Sequence, residues 1–407
     1  MEKRNKTGKR RWKIKLGSAA CLALSLLMGG VFGYLWARSM SQIIADTKGL
    51  GMVLILLGTV LLGLFLVVYA QTIIHEAGHL LAGWLSGYRF ISFRIHSRIL
   101  VRENGRLKWK RYRLAGTGGQ CLMMPPEWQD GKFPCVFYNL GGAAANLAVA
   151  AVCFLFSWLC RPAGIPWLFW TGAVVVGIGF AILNGVPMYA GGIVNDGMNA
   201  LYCFRDRQSR YGFWLTLRAN GAESAGTRVG KLPEEWFALP KDLDYSSPLI
   251  TGIALLAMAY WHDRLDLDRA SQVCGFILGY GEDLLPLYRN ELRCEELFYA
   301  VMLDCPEERL RSMYTKKLEK YIKATGSNIA RCRLMYAWEL LVEKNQKAAE
   351  GWLEKFERAA AVFPYQVEVE NEREWLARIR RQAAAESGCP DAFSKPENLN
   401  REKEVAL

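Results

Sequence analysis

The chain has no CxxC pair, and its eleven cysteines follow neither the spacing of a zinc ribbon nor the even framework of a small secreted fold. They read as reduced thiols, several of them inside apolar helices. No Gly-rich phosphate loop follows a predicted strand and no nucleic-acid module is recognisable, which argues against nucleotide chemistry and nucleic-acid partners. Histidine is scarce, four in 407 residues, so any pair at metal-ligand spacing is informative. Acidic residues are outnumbered, 39 against 51 Lys and Arg, giving a formal charge of +12. The excess lies in "MEKRNKTGKRRWKIK" and in "YRFISFRIHSRILVRENGRLKWKRYR". Beside long apolar segments such runs mark cytoplasmic flanks that touch anionic lipid.

Apolar sequence is abundant, 52% of the chain, and it concentrates before about residue 190. A bilayer core needs roughly 20 apolar residues as helix. Four segments meet that length: 16 to 37, 50 to 74, 135 to 160 and 166 to 186. The first could also be read as a signal peptide. Its apolar stretch exceeds an ordinary h-region and "ARSMSQ" is a poor cleavage site, which favours a retained helix over 17–38 behind a basic cytoplasmic tail, 1–16. The positive-inside bias then puts the tail, the basic 88–113 segment and everything after about 190 on the cytoplasmic side. The localisation expected is the cell membrane of a bacterium, multi-pass, with the N-terminus and the C-terminal domain cytoplasmic.

Residues 89 to 99 alternate with period two, Ile91, Phe93, Ile95 and Ile99 against Ser92, Arg94, His96 and Arg98. An Asn-Gly turn signal in "ENGR" precedes a second alternating run around Leu107 and Trp109. The pattern predicts a β-hairpin over 88–113 at the membrane surface, with His96 and its neighbours on the polar, solvated or lipid-facing side. Beyond residue 245 the periodicity is helical and the composition soluble, like stacked hairpins, and the spacing of Phe356, Ala359 and Pro364 is similar to that of tetratricopeptide repeats. In this reading His262 is a surface residue. The fold class expected is therefore an α-helical polytopic membrane protein of about four transmembrane helices with a membrane-surface β-hairpin, plus a C-terminal α-helical, TPR-like soluble domain over 201–385 and a disordered tail over 386–407.

The chemistry concentrates in "IIHEAGHLLAGWL", residues 73 to 85. On a helix, residues four apart share a face, so His75 and His79 can direct imidazole nitrogens at one ion. Glu76 lies beside that face and suits a general base that takes a proton from a bound water. Ionisable side chains within a membrane helix are functional candidates by default. A catalytic zinc site needs a third protein ligand and leaves a position for water. Asp196, in "ILNGVPMYAGGIVNDGMNA" just after the last span, is an ordinary helix cap if read alone and a ligand if read together with HEAGH.

These residues resemble the site-2 intramembrane metalloproteases, the M50 peptidases. His75, Glu76 and His79 match the HExxH of that family; Asn184, Pro187, Asp196 and Gly197 match its NxxP and DG elements. "GGAAAN" is similar to its GPxxN, with Gly142 and Asn146 matching and Ala143 where proline is usual. Pro187 and Asp196 stand farther apart than in the short form of the motif. The resemblance covers about 50–200 and not the C-terminal half, which has no PDZ or CBS signature. It implies one Zn2+ ion held by His75, His79 and Asp196, Glu76 as the catalytic residue, and substrate-binding roles for Asn146 and Asn184. It implies a metalloendopeptidase cutting in or near the transmembrane segment of a single-span membrane protein substrate, for which the hairpin would offer a strand edge, a gate or a plain amphipathic cover. The helical domain would then receive substrate or a protein regulator. Two alternatives stand beside this: a membrane-anchored zincin cutting soluble peptides, and a non-catalytic scaffold with a partner-binding helical-repeat domain.

Overall fold

The computed structural model describes residues 23, 26–27, 29–45, 47, 49–103, 105–112, 118–129, 131–160, 164–190, 193–240 and 243–387. The basic tail, most of the first expected span and the stretch after 387 lie outside these residues. The chain divides into two compact units, Met1–Leu256 with Tyr280–Leu287, and Ala257–Gly279 with Tyr288–Leu407.

The first unit is built on helices. After a helix over 29–45 (α1) come α2 (Leu50–Leu85), α3 (Cys135–Leu159) and α4 (Gly164–Gly185). These last three are the helices among the described residues that are long and apolar enough to cross a membrane. The expected fourth, over 17–38, falls largely outside the described residues, although Trp36 of α1 donates its indole N–H to the carbonyl of Leu168 of α4 at 3.2 Å.

α2 has an inverted pattern. Its outward positions carry Leu54, Ile55, Leu61, Phe65 and Leu81, all exposed. Its buried stripe, from Val67 through Gln71, Thr72, His75, Glu76 and His79 to Gly83, is largely polar. A helix that shows its greasy face outward suits a lipid surround, and its polar stripe must find partners inside. The close crossing with α3 supplies them. A Cβ on Gly78 would lie 2.4 Å from the Gly141 carbonyl oxygen, and one on Gly141 2.5 Å from that of Gly78, so only glycine lets these backbones meet.

Between α2 and α3 lies a four-stranded antiparallel sheet, β1 (Arg89–Ile95), β2 (Arg98–Glu103), β3 (Arg106–Arg111) and β4 (Gly119–Met124), in the order β3-β2-β1-β4. The expected hairpin is thus part of a larger sheet, and the run 89–99 is two strands joined through His96 and Ser97, with Ile95 opposite Arg98. Ser92 and Arg94, expected on the polar face, are 1% and 0% exposed. β4 covers β1 with a bulge between Phe90 and Ser92, and the Arg94 guanidinium is taken up by the carbonyls of His96 at 2.8 Å and Gly119 at 3.2 Å.

After α4 a short hairpin, β5 (Tyr189–Ala190) with β6 (Ile193–Val194), leads into α5 (Asp196–Arg205) and α6 (Arg207–Ser224). The unit does not end near 200. Trp214 of α6 donates to the Pro126 carbonyl at 2.9 Å and Gly221 packs against Met124, so α6 is part of the wall behind β4. Every cysteine among the described residues is free.

The second unit is helical, running from the end of α7 (Pro248–Asp263) through α8 (Leu267–Leu278), α9 (Pro286–Met302), α10 (Glu307–Met313), α11 (Lys316–Ala324), α12 (Ile329–Ala337) and α13 (Gln346–Val362) to α14 (Gln366–Ser387). Helix lengths from 7 to 22 residues give it no fixed repeat period. His262, expected on the surface, is enclosed: Nδ1 lies 3.1 Å from the Tyr299 hydroxyl and the ring stacks on Trp375 at 4.9 Å. Burial, with the Arg333 charge adding to it, lowers its pKa to about 3, so the ring is neutral.

Candidate metal centre

His75 and His79 sit one turn apart on the buried stripe of α2, and their Nε2 atoms are 3.1 Å apart. Asp196 reaches them from α5, its Oδ2 3.1 Å from His75 Nε2 and 3.2 Å from His79 Nε2. Those three are the His, Cys, Asp and Glu side chains that the structure gathers at metal-binding distance among the described residues.

What surrounds the rings fixes their tautomers. His75 Nδ1 lies 2.8 Å from Asn146 Oδ1, and His79 Nδ1 lies 2.8 Å from the Tyr138 carbonyl. The Asn146 amide is oriented in turn, because its Nδ2 donates to the Gln71 backbone carbonyl at 2.9 Å and to Gln71 Oε1 at 2.7 Å. Both Nδ1 atoms therefore carry the proton in the neutral ring, and both Nε2 atoms present lone pairs. Three electron-pair donors thus face one another across little more than 3 Å. A tetrahedral ion with bonds of about 2.0–2.1 Å spaces its ligand atoms by about 3.3 Å, so a divalent cation fits this donor set.

The path that brings Asp196 here explains the long spacing after Pro187. The additional residues form the β5–β6 hairpin, with Tyr189 opposite Val194, which returns the chain to the end of α4. Asn195 locks the return. Its Oδ1 accepts from the Met198 and Met188 amides at 2.9 and 3.1 Å, and its Nδ2 donates to the Leu183 and Val186 carbonyls at 2.8 and 2.6 Å. The helix cap is Asn195, which leaves Asp196 free for the histidines. A Cβ on Gly197 would lie 2.2 Å from the Gly185 carbonyl oxygen, so the glycine after the aspartate is a packing requirement.

Glu76 points to the side of the three donors. Its carboxylate lies against the backbone of β4, where a Cβ on Gly119 would lie 2.5 Å from Oε1. Gly142 plays the matching part under the rings: its Cβ would lie 2.6 Å from both His75 Cε1 and His79 Nε2. The three donors and Glu76 line a cleft of about 770 Å³ whose other walls include Gln120, Phe180 and Asn184.

The asparagines divide. Asn146 is fully buried with both amide atoms engaged, a position for orienting His75. Asn184 lines the cleft, and its Nδ2 donates to Phe180 of its own helix at 2.9 Å. Within the expected hairpin β1 is paired on both sides and β3 is an outer strand of the sheet; on β4, the other outer strand, the Tyr138 hydroxyl donates to the Cys121 carbonyl at 2.7 Å. Asn195, Gln71 and Gly119 were not among the expected site residues. Only Asn195 had a local signal, an N-cap residue directly before the helix.

No protein-family model matches the chain, and no curated protein or solved structure matches it at a significant level.

Proposed function

We propose that the chain is a zinc-dependent endopeptidase of the site-2 protease kind that hydrolyses peptide bonds in or near the transmembrane segment of another membrane protein. The observation that supports it most is the convergence of His75, His79 and Asp196, with Glu76 beside them, at the end of a helix apolar enough to span a membrane. Bound zinc would supply Lewis acidity toward a carbonyl and lower the pKa of its water to about 7.

The chain's own residues do the rest. Asn146 and the Tyr138 carbonyl keep the two rings aimed by holding their Nδ1 protons. Glu76, given room against β4 by Gly119, accepts the proton of the attacking water and returns it to the leaving amine. The cleft gives a peptide room beside it, and the apolar outer face of α2 lets a substrate helix approach through lipid. In this reading the basic segments lie on anionic lipid at the cytoplasmic face of a bacterial membrane, and the second unit receives substrate or a regulator there.

Glu76→Gln is the test. The variant is expected to keep its zinc while cleavage of a single-span substrate falls at least about a thousandfold, the scale of losing a general base in a preorganised site. Cleavage at the wild-type rate would remove Glu76 from the chemistry.

A further inference from the structure

Two of the chain's four histidines are the candidate ligands and His262 is enclosed in the second unit. His96 remains, exposed, in the two-residue loop between β1 and β2. Its φ is 52°, the left-handed region where such a loop ordinarily takes glycine, asparagine or aspartate. The other non-glycine residues with positive φ among the described residues, Leu265, Asp304 and Lys344, each follow a helix end, where that conformation is routine.

The fold holds this histidine from both sides. Its N–H donates to the Gly118 carbonyl at 2.8 Å. Its carbonyl accepts from Arg94 Nη1 at 2.8 Å, and the same fully buried guanidinium donates to the Gly119 carbonyl, beside Glu76. The imidazole rests against Tyr69 of α2, ring centres 5.5 Å apart, and lines the same cleft as His75, Glu76, His79 and Asp196. A buried arginine thus holds the backbone of His96 in a left-handed conformation. Unfavourable backbone geometry that the surroundings maintain is characteristic of functional positions.

We propose that His96 is a substrate-contacting residue, whose imidazole N–H donates a hydrogen bond to a backbone carbonyl of the peptide lying in the cleft. A peptide drawn out of its helix exposes such carbonyls, and a donor at the rim meets them before the scissile bond reaches Glu76. The assignment rests on the peptidase reading for its ligand.

The test uses the full-length protein in detergent micelles with a synthetic single-span peptide carrying a helix-breaking Asn-Pro near one end. His96→Gly and His96→Asn both tolerate the left-handed loop, so the sheet is retained. His96→Gly is expected to raise KM about tenfold, the worth of one hydrogen bond, with kcat within about twofold and zinc content unchanged; His96→Asn, which keeps a donor, recovers part of the loss. An unchanged KM in His96→Gly overturns the assignment. A photo-crosslinking residue at position 96, in the Glu76→Gln background, is expected to capture the same peptide, and absence of the adduct also overturns it. If the wild type cleaves nothing, the peptidase reading fails by itself, while the adduct still decides whether position 96 meets the peptide.

Discussion

In the first unit, the Nε2 atoms of two imidazoles and a carboxylate oxygen lie within 3.2 Å of one another. In the second, Arg331 and Arg333 are equally buried, and each faces carboxylates: Arg331 the side chain of Glu291, Arg333 those of Glu295 at 2.7 Å and Glu372 at 2.5 Å. Burial pushes the Glu295 carboxyl up, but Arg333 and Arg331 outweigh it and hold it below its ordinary pKa. The helical unit has balanced its own charges. The cluster on α2 and α5 sets one carboxylate against two rings that are charged only when protonated, and the proposed zinc would take the place of that proton. Polar burial by itself therefore says little about function; the sign and sufficiency of the partners say more.

The contrast can be broken most severely at Gly142. Gly142→Ala puts a methyl group 2.6 Å from both rings, which Asn146 and Tyr138 prevent from moving aside. The expected result is loss of stoichiometric metal by elemental mass spectrometry and loss of cleavage, with the second unit's protection in hydrogen exchange unchanged. In the second unit, Arg333→Met leaves Glu295 and Glu372 without their shared partner. It is expected to destabilise that unit by about 3–5 kcal/mol, read by denaturant melts or limited proteolysis, while metal content stays at the wild-type level. If Arg333→Met released the metal, the two clusters would not be independent.

The smallest effect belongs to His262, and it depends on pH. Its pKa is about 3 in the fold and about 6.5 in an unfolded chain. Between those values the unfolded state binds the additional proton, so this group costs stability as pH falls from about 6.5 toward 3 and nothing above that window. His262→Phe is expected to lose about 1 kcal/mol at pH 8 with the Tyr299 hydrogen bond, and to show a flatter decline in stability on acidification than the wild type. A slope identical to that of the wild type would mean that His262 is not held neutral.

Several of these features are legible in the residues alone. The i, i+4 histidines with an intervening glutamate, the apolar helices and the Asn-Gly turn all announce themselves through local chemistry. Asp196 is readable only in combination, because nothing in "VNDG" says which of its two polar residues caps and which ligates; tertiary packing at Gly197 and Gly185 decides it. The β1–β2 turn is invisible for a definite reason: His96 and Ser97 stand where a hairpin loop normally shows glycine or asparagine, so period two runs straight through it. β4 is missed because "GQCLMM" does not alternate, being covered on one side by α6 and on the other by α2 and α3. The ring orientation supplied by the Tyr138 carbonyl leaves no mark in the sequence, since any residue could provide it.

Asp196 is proposed to complete a one-metal site with His75 and His79. Zinc per chain, measured on purified wild type and Asp196→Ala after dialysis against a weak chelator, tests it directly. The account predicts about one ion per chain in the wild type and a substoichiometric value in the variant, because two imidazoles alone leave the ion short of protein ligands. A variant that retains one zinc per chain would contradict it and place the third ligand elsewhere.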